Sequence, residues 1–246
     1  MIPKSDNKVN FPTIESQQKF WNSWNKTYRE EQGLDIVSLR RAKSVLDIIE
    51  GLSLRSPRIL EIGCANGWLS ERLVKYGEVT AVDLADAVIE KAKKRVPQVN
   101  FYAGDFLEMK FDNSYEIVVS LETIAYVQNQ EAFIRRVVDI LEPKGYFILT
   151  GVNKYVFERR SDINSSAAAI ARNWLTVKEF KSLLKPYFNI QFLTTIEPSG
   201  DKGLLRMVNS YKLNKLINTF ISSDKLTKYK EQLGFGQTVI VLAQKK

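Results

Sequence analysis

The chain has 246 residues, 44% hydrophobic and 26% charged, enough for one large α/β domain with its own core. It has no histidine and a single cysteine, Cys64. This excludes a histidine triad, a histidine base or metal ligand, an internal disulfide and a structural zinc site. The formal charge of +8 fits either an anionic partner or a lysine-rich soluble surface.

The N-terminal stretch MIPKSDNKVN is polar and lacks the apolar core of a signal peptide, and no apolar run approaches a membrane span. A soluble cytoplasmic protein is expected. Two helical patterns come first. Residues 13–31 carry Phe20, Trp21, Trp24 and Tyr28 at helical spacing, and residues 35–50 carry Ile36, Leu39, Val45, Leu46, Ile48 and Ile49. Strands and helices then alternate. Strands are expected at 58–63, 79–84, 99–105, 115–121 and 145–151. Helices are expected at 68–76, at 86–95 with Asp86 as its cap, and at 131–141. Pro143 and Gly145 turn the chain into the fifth strand. After a helix near 176–185 come strands at 189–197 and 238–244. This order predicts an α/β fold with a mostly parallel sheet and helices on both faces.

The expected divisions of this single domain are an N-terminal helical cap (1–52), a core (53–202), a helical insert (203–233) and a last strand (234–246). The insert places Leu213, Leu216, Ile217, Phe220 and Ile221 on one face, and carries Arg206, Lys212, Lys215, Lys225, Lys228 and Lys230 against Asp224 and Glu231. It reads either as an amphipathic helix packed on the sheet or as a lid over a site.

The turn after the first strand, LEIGCANG (60–67), sits where open α/β sheets bind nucleotide-like ligands. Glycine lets backbone approach a ligand, and the helix beyond favours negative charge. A dinucleotide fingerprint would need glycines at positions held by Ala65 and Trp68. The alternative pattern, acid-x-G-x-G-x-G, is met by Glu61, Gly63 and Gly67, with Ala65 in place of the middle glycine. Asp83 ends the second strand, where a carboxylate accepts from ribose hydroxyls with either ligand. Asp105, ending the third, is placed to take a hydrogen bond from an adenine amino group, with Phe106 beside the ring.

With EIGCANG, VDL (82–84), GDF (104–106), YEIVVSLETIAYV (115–127) and LEPKGYFILTG (141–151), the chain resembles the class I S-adenosylmethionine-dependent methyltransferases of small-molecule type. The resemblance covers about Arg58 to Gly151 and, more weakly, the final strand pair. It implies a Rossmann-like seven-stranded sheet whose reversed last strand lies between the two before it. It implies S-adenosylmethionine as cofactor, with S-adenosylhomocysteine as product. Glu61, Gly63, Cys64, Ala65 and Gly67 then form the cofactor loop, Asp83 and Leu84 meet the ribose and adenine, Asp105 and Phe106 hold the adenine edge, and Ser120 and Leu121 approach the amino group. Ala65 is a departure, tolerable if its φ stays negative.

The acceptor should sit over the loop after the fourth strand, where Glu122 and Tyr126 are the candidate catalytic residues. Trp21, Trp24, Tyr28, Tyr126, Tyr155 and Trp174 could wall a pocket for a cationic or ring-bearing acceptor. A hydroxyl acceptor needs a base such as Glu122, whereas an amine need only arrive neutral, so nitrogen and oxygen both stay open. The Asp/Asn-Pro-Pro-aromatic turn of enzymes that methylate base amines or glutamine is absent at Ser120–Thr123. A small-molecule acceptor is therefore the expected partner, with RNA or protein as the alternative. No metal and no membrane partner are expected, and a homodimer is compatible with the sequence.

Overall fold

The computed structural model describes residues 11–30, 33–162 and 170–246. The polar N-terminal ten residues and position 31 lie outside the described residues. Seven strands form one sheet: β1 (Arg58–Ile62), β2 (Glu78–Asp83), β3 (Asn100–Ala103), β4 (Tyr115–Leu121), β5 (Leu141–Val152), β6 (Phe188–Pro198) and β7 (Gly236–Lys245). Their order is β3-β2-β1-β4-β5-β7-β6. The first five pair in parallel, while β7 runs antiparallel to both β5 and β6. The reversed last strand thus lies between the two before it, as expected. Strand order reverses between β1 and β4, which opens a crevice at their carboxyl ends.

Strand periodicity divides the core. Ile59, Ala81, Ile117, Val119 and Ile148 pack on one face with α2 (Ile36–Leu52), the short α3 (Ser70–Leu73) and α4 (Asp86–Arg95). Leu60, Ile62, Val118, Phe147 and Leu149 pack on the other, with α5 (Gln130–Ile140) and, beyond the short α6 (Lys154–Phe157), α7 (Val177–Leu184). Caps fix where these helices start. Asp35 accepts a 2.7 Å hydrogen bond from Ser38 N at the head of α2, and Thr176 with Glu179 forms a capping box at the head of α7.

Three local expectations are corrected. Asp86 is the first helical residue of α4, not its cap, and its carboxylate accepts from Ala87 N and from Asn22 Nδ2. Strand β5 begins at Leu141, before the Pro143–Gly145 turn. The pairing jumps from Tyr115↔Leu141 to Ile117↔Tyr146, so the turn is looped out of a continuous strand, with Lys144 at φ 65°. The insert is three short helices, α8 (Leu204–Val208), α9 (Tyr211–Ile217) and α10 (Ser223–Gln232), because Ser210 and Ser222 each cap a new start. Its apolar face is not packed on the sheet: Leu216 is 62% and Phe220 83% exposed. Only α10 lies along β6, where Thr195 Oγ1 donates to Glu231 O at 2.6 Å.

The N-terminal cap is α1 (Ile14–Trp24), continued by a π-helical turn at Asn25–Glu30. Two polar contacts latch α1 over the carboxyl end of β2. Gln18 Nε2 donates to Leu84 O at 3.0 Å, and Asn22 Nδ2 donates to Asp86 Oδ1 at 2.8 Å.

Candidate active site

A cavity of about 990 Å³ lies at the switch point, between the carboxyl ends of β1, β2, β3 and β4 and the roof made by α1. Among the sequence-predicted residues, Glu61, Gly63, Ala65, Asp83, Leu84, Asp105, Phe106, Leu121, Glu122, Tyr126, Trp21, Tyr28 and Trp174 line it. Cys64, Gly67, Ser120 and Tyr155 do not, nor does any residue of 203–233. The covering wall is therefore α1 rather than the insert.

The loop after β1 is held by its own chain. Gly63 has φ 80°, and a Cβ there would come within 2.0 Å of Thr123 Oγ1. Gly67 has φ 73° and backs onto Phe101, so its requirement for glycine is internal packing. Cys64 is fully buried beneath the loop, and burial pushes its thiol well up, away from the reactive thiolate. Ala65 departs from the condition placed on it: its φ is 48°, in the left-handed region. The reason is Asp83. Its Oδ2 accepts a 2.7 Å hydrogen bond from Ala65 N, and its Oδ1 accepts one of 2.8 Å from Ala85 N. Burial raises the Asp83 carboxyl, against the pull of the Ala85, Ala65 and Leu84 amides.

Glu61 follows Leu60 in β1 and so points to the α2–α3 face, where it is 2% exposed. Ser70 Oγ donates to it at 2.5 Å. Burial pushes its carboxyl up to about 8; the Ser70 hydrogen bond opposes this and the Asp83 charge adds to it. Asp105 turns the chain after β3, accepting from Leu107 N at 3.0 Å. Phe106 is mostly a core side chain, 5.3 Å from the Phe133 ring. Ser120 is buried in β4, and its Oγ has no hydrogen-bond partner among the described residues.

On the other side of the cavity, Glu122 sits at φ 62° at the end of β4. Its N–H donates to Thr150 Oγ1 at 3.1 Å, and that hydroxyl donates back to Glu122 Oε1 at 3.1 Å. Arg41 of α2 reaches Glu122 Oε1 at 3.7 Å and donates to Thr238 Oγ1 at 2.9 Å. Burial raises the Glu122 carboxyl, while Arg41 and Thr150 lower it. The aromatic roof is continuous. Trp21 stands edge-on to Tyr126 at 4.6 Å and to Trp24 at 5.8 Å, and Trp24 stacks on Tyr28 at 5.5 Å. Trp174 packs on Phe157 at 5.1 Å. Tyr155 turns away, under the Arg159 guanidinium at 4.0 Å. Sequence reasoning missed Arg41, Arg172 and Phe157. Arg41 faces Glu122 from a helix that lies far from it in the chain, and no local pattern marks that approach.

The matching family model is that of a methyltransferase domain, over residues 60–149. The chain carries a methyltransferase domain on the fold of the class I S-adenosylmethionine-dependent methyltransferases. The ubiquinone biosynthesis O-methyltransferase of Rickettsia bellii is 26% identical over 208 residues, 80% of this methyltransferase and 86% of that protein. The malonyl-acyl-carrier-protein O-methyltransferase of Priestia megaterium is 31% identical over 114 residues, 44% of this chain and 42% of the other. The N-methyltransferase NodS of Bradyrhizobium japonicum, solved with S-adenosyl-L-homocysteine, has a TM-score of 0.64 at 14% identity, covering 95% of this chain and 99% of that one. The cyclase SpnF shares the fold at a TM-score of 0.68 and 12% identity, over 97% and 99% of the two chains.

The residues of this methyltransferase fit S-adenosylmethionine. Carboxylates from three adjacent strand ends, Glu61, Asp83 and Asp105, face one cavity beside bare backbone at Gly63. Asp83 keeps acceptor capacity beyond its amide bonds, since two oxygens offer about four lone-pair positions. Among the described residues no cluster could hold a metal ion, and no helix is long and apolar enough to cross a membrane.

Proposed function

We propose that this methyltransferase acts in the cytoplasm on a hydroxyl oxygen of a small, ring-bearing acceptor, with Glu122 as general base. The observation that carries the reading is the position of Glu122. It lines the cavity facing the aromatic roof, hydrogen-bonded to Thr150 and 3.7 Å from Arg41. Burial that raises a carboxyl makes it a better proton acceptor, and a neighbouring guanidinium keeps it ionised. The relatives named as O-methyltransferases support an oxygen acceptor.

Bound S-adenosylmethionine supplies the electrophilic methyl group. The chain supplies placement and exclusion of water. Asp83, which clamps the loop at Ala65, would accept from the ribose hydroxyls. Asp105 and Leu84 would hold the adenine, and Glu61 would serve the amino-acid portion. Trp21, Tyr28, Tyr126 and Trp174 close on the acceptor ring, and the Gln18 and Asn22 latches hold α1 in place.

The test is a transfer assay with methyl-labelled S-adenosylmethionine and a size-fractionated extract. Label in the small-molecule fraction supports the reading. Label in RNA or protein overturns it. Tight cofactor binding with no label in any fraction would place this chain with uses of the fold other than methyl transfer.

A further inference from the structure

The aromatic walls of the acceptor end suggest a cage for a cationic ligand, but the chain fills that place with a cation of its own. Arg172 lines the cavity, with its guanidinium 5.9 Å from the Tyr126 ring and 5.9 Å from the Trp174 ring. Among the described residues that line the cavity, Arg41 and Arg172 are the cationic ones. Their situations differ. Arg41 has its carboxylate, Glu122, and a hydroxyl acceptor, Thr238. Arg172 has no carboxylate partner among the described residues, and its Nε is buried with no acceptor. The hydroxyl of Tyr126, on one of those two rings, is raised by burial and lowered by the Arg172 charge and hydrogen bond. A partly buried guanidinium with no carboxylate beside it is costly to hold, and an anionic ligand would relieve that cost.

From this arrangement we propose that Arg172, flanked by Tyr126 and Trp174, is a recognition site for a carboxylate carried by the acceptor. The inference rests on the small-molecule reading above and narrows it. The acceptor presents a flat ring to Trp21 and Trp174 and a carboxylate to Arg172. Glu122, already opposed by Arg41, then does not repel it. An ammonium-bearing acceptor is disfavoured, because Arg172 would face it across a short, poorly solvated gap. Arg172 acts here as a binding residue and takes no part in proton or methyl transfer.

Binding of benzoate and of its neutral isostere benzamide to the S-adenosylhomocysteine-loaded protein tests this, read by ligand-observed NMR titration. Benzoate should bind at least about tenfold more tightly than benzamide, the ratio expected of one charge-assisted pair. R172Q should reduce benzoate to the benzamide level, and R172K should retain part of the difference because it keeps the charge without the planar fork. K94Q, which removes one charge from the exposed face of α4, should change nothing and so excludes an effect of net charge alone. Affinity for S-adenosylhomocysteine, measured in the same samples, should be equal in all variants and reports that each is folded. Equal binding of the two probes, or benzoate binding untouched by R172Q, overturns the proposal while leaving the small-molecule reading standing. Label appearing only in RNA or protein in the transfer assay overturns that reading instead.

Discussion

The carboxylate of Asp83 accepts a 2.7 Å hydrogen bond from the backbone N–H of Ala65, and so ties the end of β2 to the turn that follows β1. One side chain thereby both faces the cavity and sets the shape of the loop beside it. D83A should therefore do two things. It should weaken S-adenosylhomocysteine binding by on the order of 2–4 kcal/mol, the loss of two charge-assisted hydrogen bonds. It should also destabilise the fold by about 1–3 kcal/mol, because the Ala65 and Ala85 amides lose their acceptor. Calorimetry and urea unfolding separate the two. A cofactor affinity equal to that of the natural protein would remove Asp83 from the site.

Ala65 shows the conformational consequence of that bond. A left-handed φ costs a non-glycine residue roughly 1–2 kcal/mol, and glycine returns part of this as unfolded-state entropy, about 0.5–1 kcal/mol. A65G should raise unfolding stability by about 0.5–1 kcal/mol and leave cofactor affinity unchanged. A loss of stability in chemical unfolding would mean that the Ala65 methyl makes contacts that matter more than its backbone.

Glu61 makes stability depend on pH. Its carboxyl is raised in the folded state to about 8 from an ordinary value of 4.5. A folded value above the unfolded one stabilises fully below about pH 4.5 and is lost as pH rises through about 8. E61Q, which still accepts from Ser70, should flatten the stability profile across that window and exceed the natural protein above pH 8. Parallel profiles for the two proteins would show that Glu61 is ionised throughout.

Glu122 and Arg41 are coupled, and the rate profile should show it. E122Q should leave S-adenosylhomocysteine binding intact and lower kcat about 10²–10⁴-fold, the usual range for a general base. Arg41 lowers the Glu122 carboxyl, so R41M should move the acid limb of the kcat/KM profile to higher pH. Full turnover in E122Q with the true acceptor would assign Glu122 to the architecture of the β4 end.

The latches on α1 make a smaller prediction. Q18A and N22A each remove one hydrogen bond that holds the roof to the β2 end. Each is worth about 0.5–1.5 kcal/mol, so KM for S-adenosylmethionine should rise a few-fold to roughly tenfold, and the double variant more. Unchanged KM in the double variant would show that α1 is held by its aromatic contacts alone.

The family resemblance implied the reversed last strand; what the sequence by itself determined is the alternating β/α order, the mostly parallel sheet, and the strand-end carboxylates Glu61, Asp83 and Asp105. These are local signals: hydrophobic periods of two and 3.6 residues, glycines at turns, and acids at strand ends. Tertiary structure alone decided the rest. The left-handed Ala65 follows from the hydrogen bond its backbone N–H donates to Asp83, eighteen positions away. Arg41 meets Glu122, and Arg172 sits between Tyr126 and Trp174, because helix α2 and the chain before α7 converge on one crevice. The Leu216 and Phe220 side chains read as a face to be packed, yet stand exposed, since a moment along a helix says which side is apolar and not whether anything lies against it. Contacts of that kind depend on where separate segments meet, and a single sequence records each segment's preference without recording the meeting.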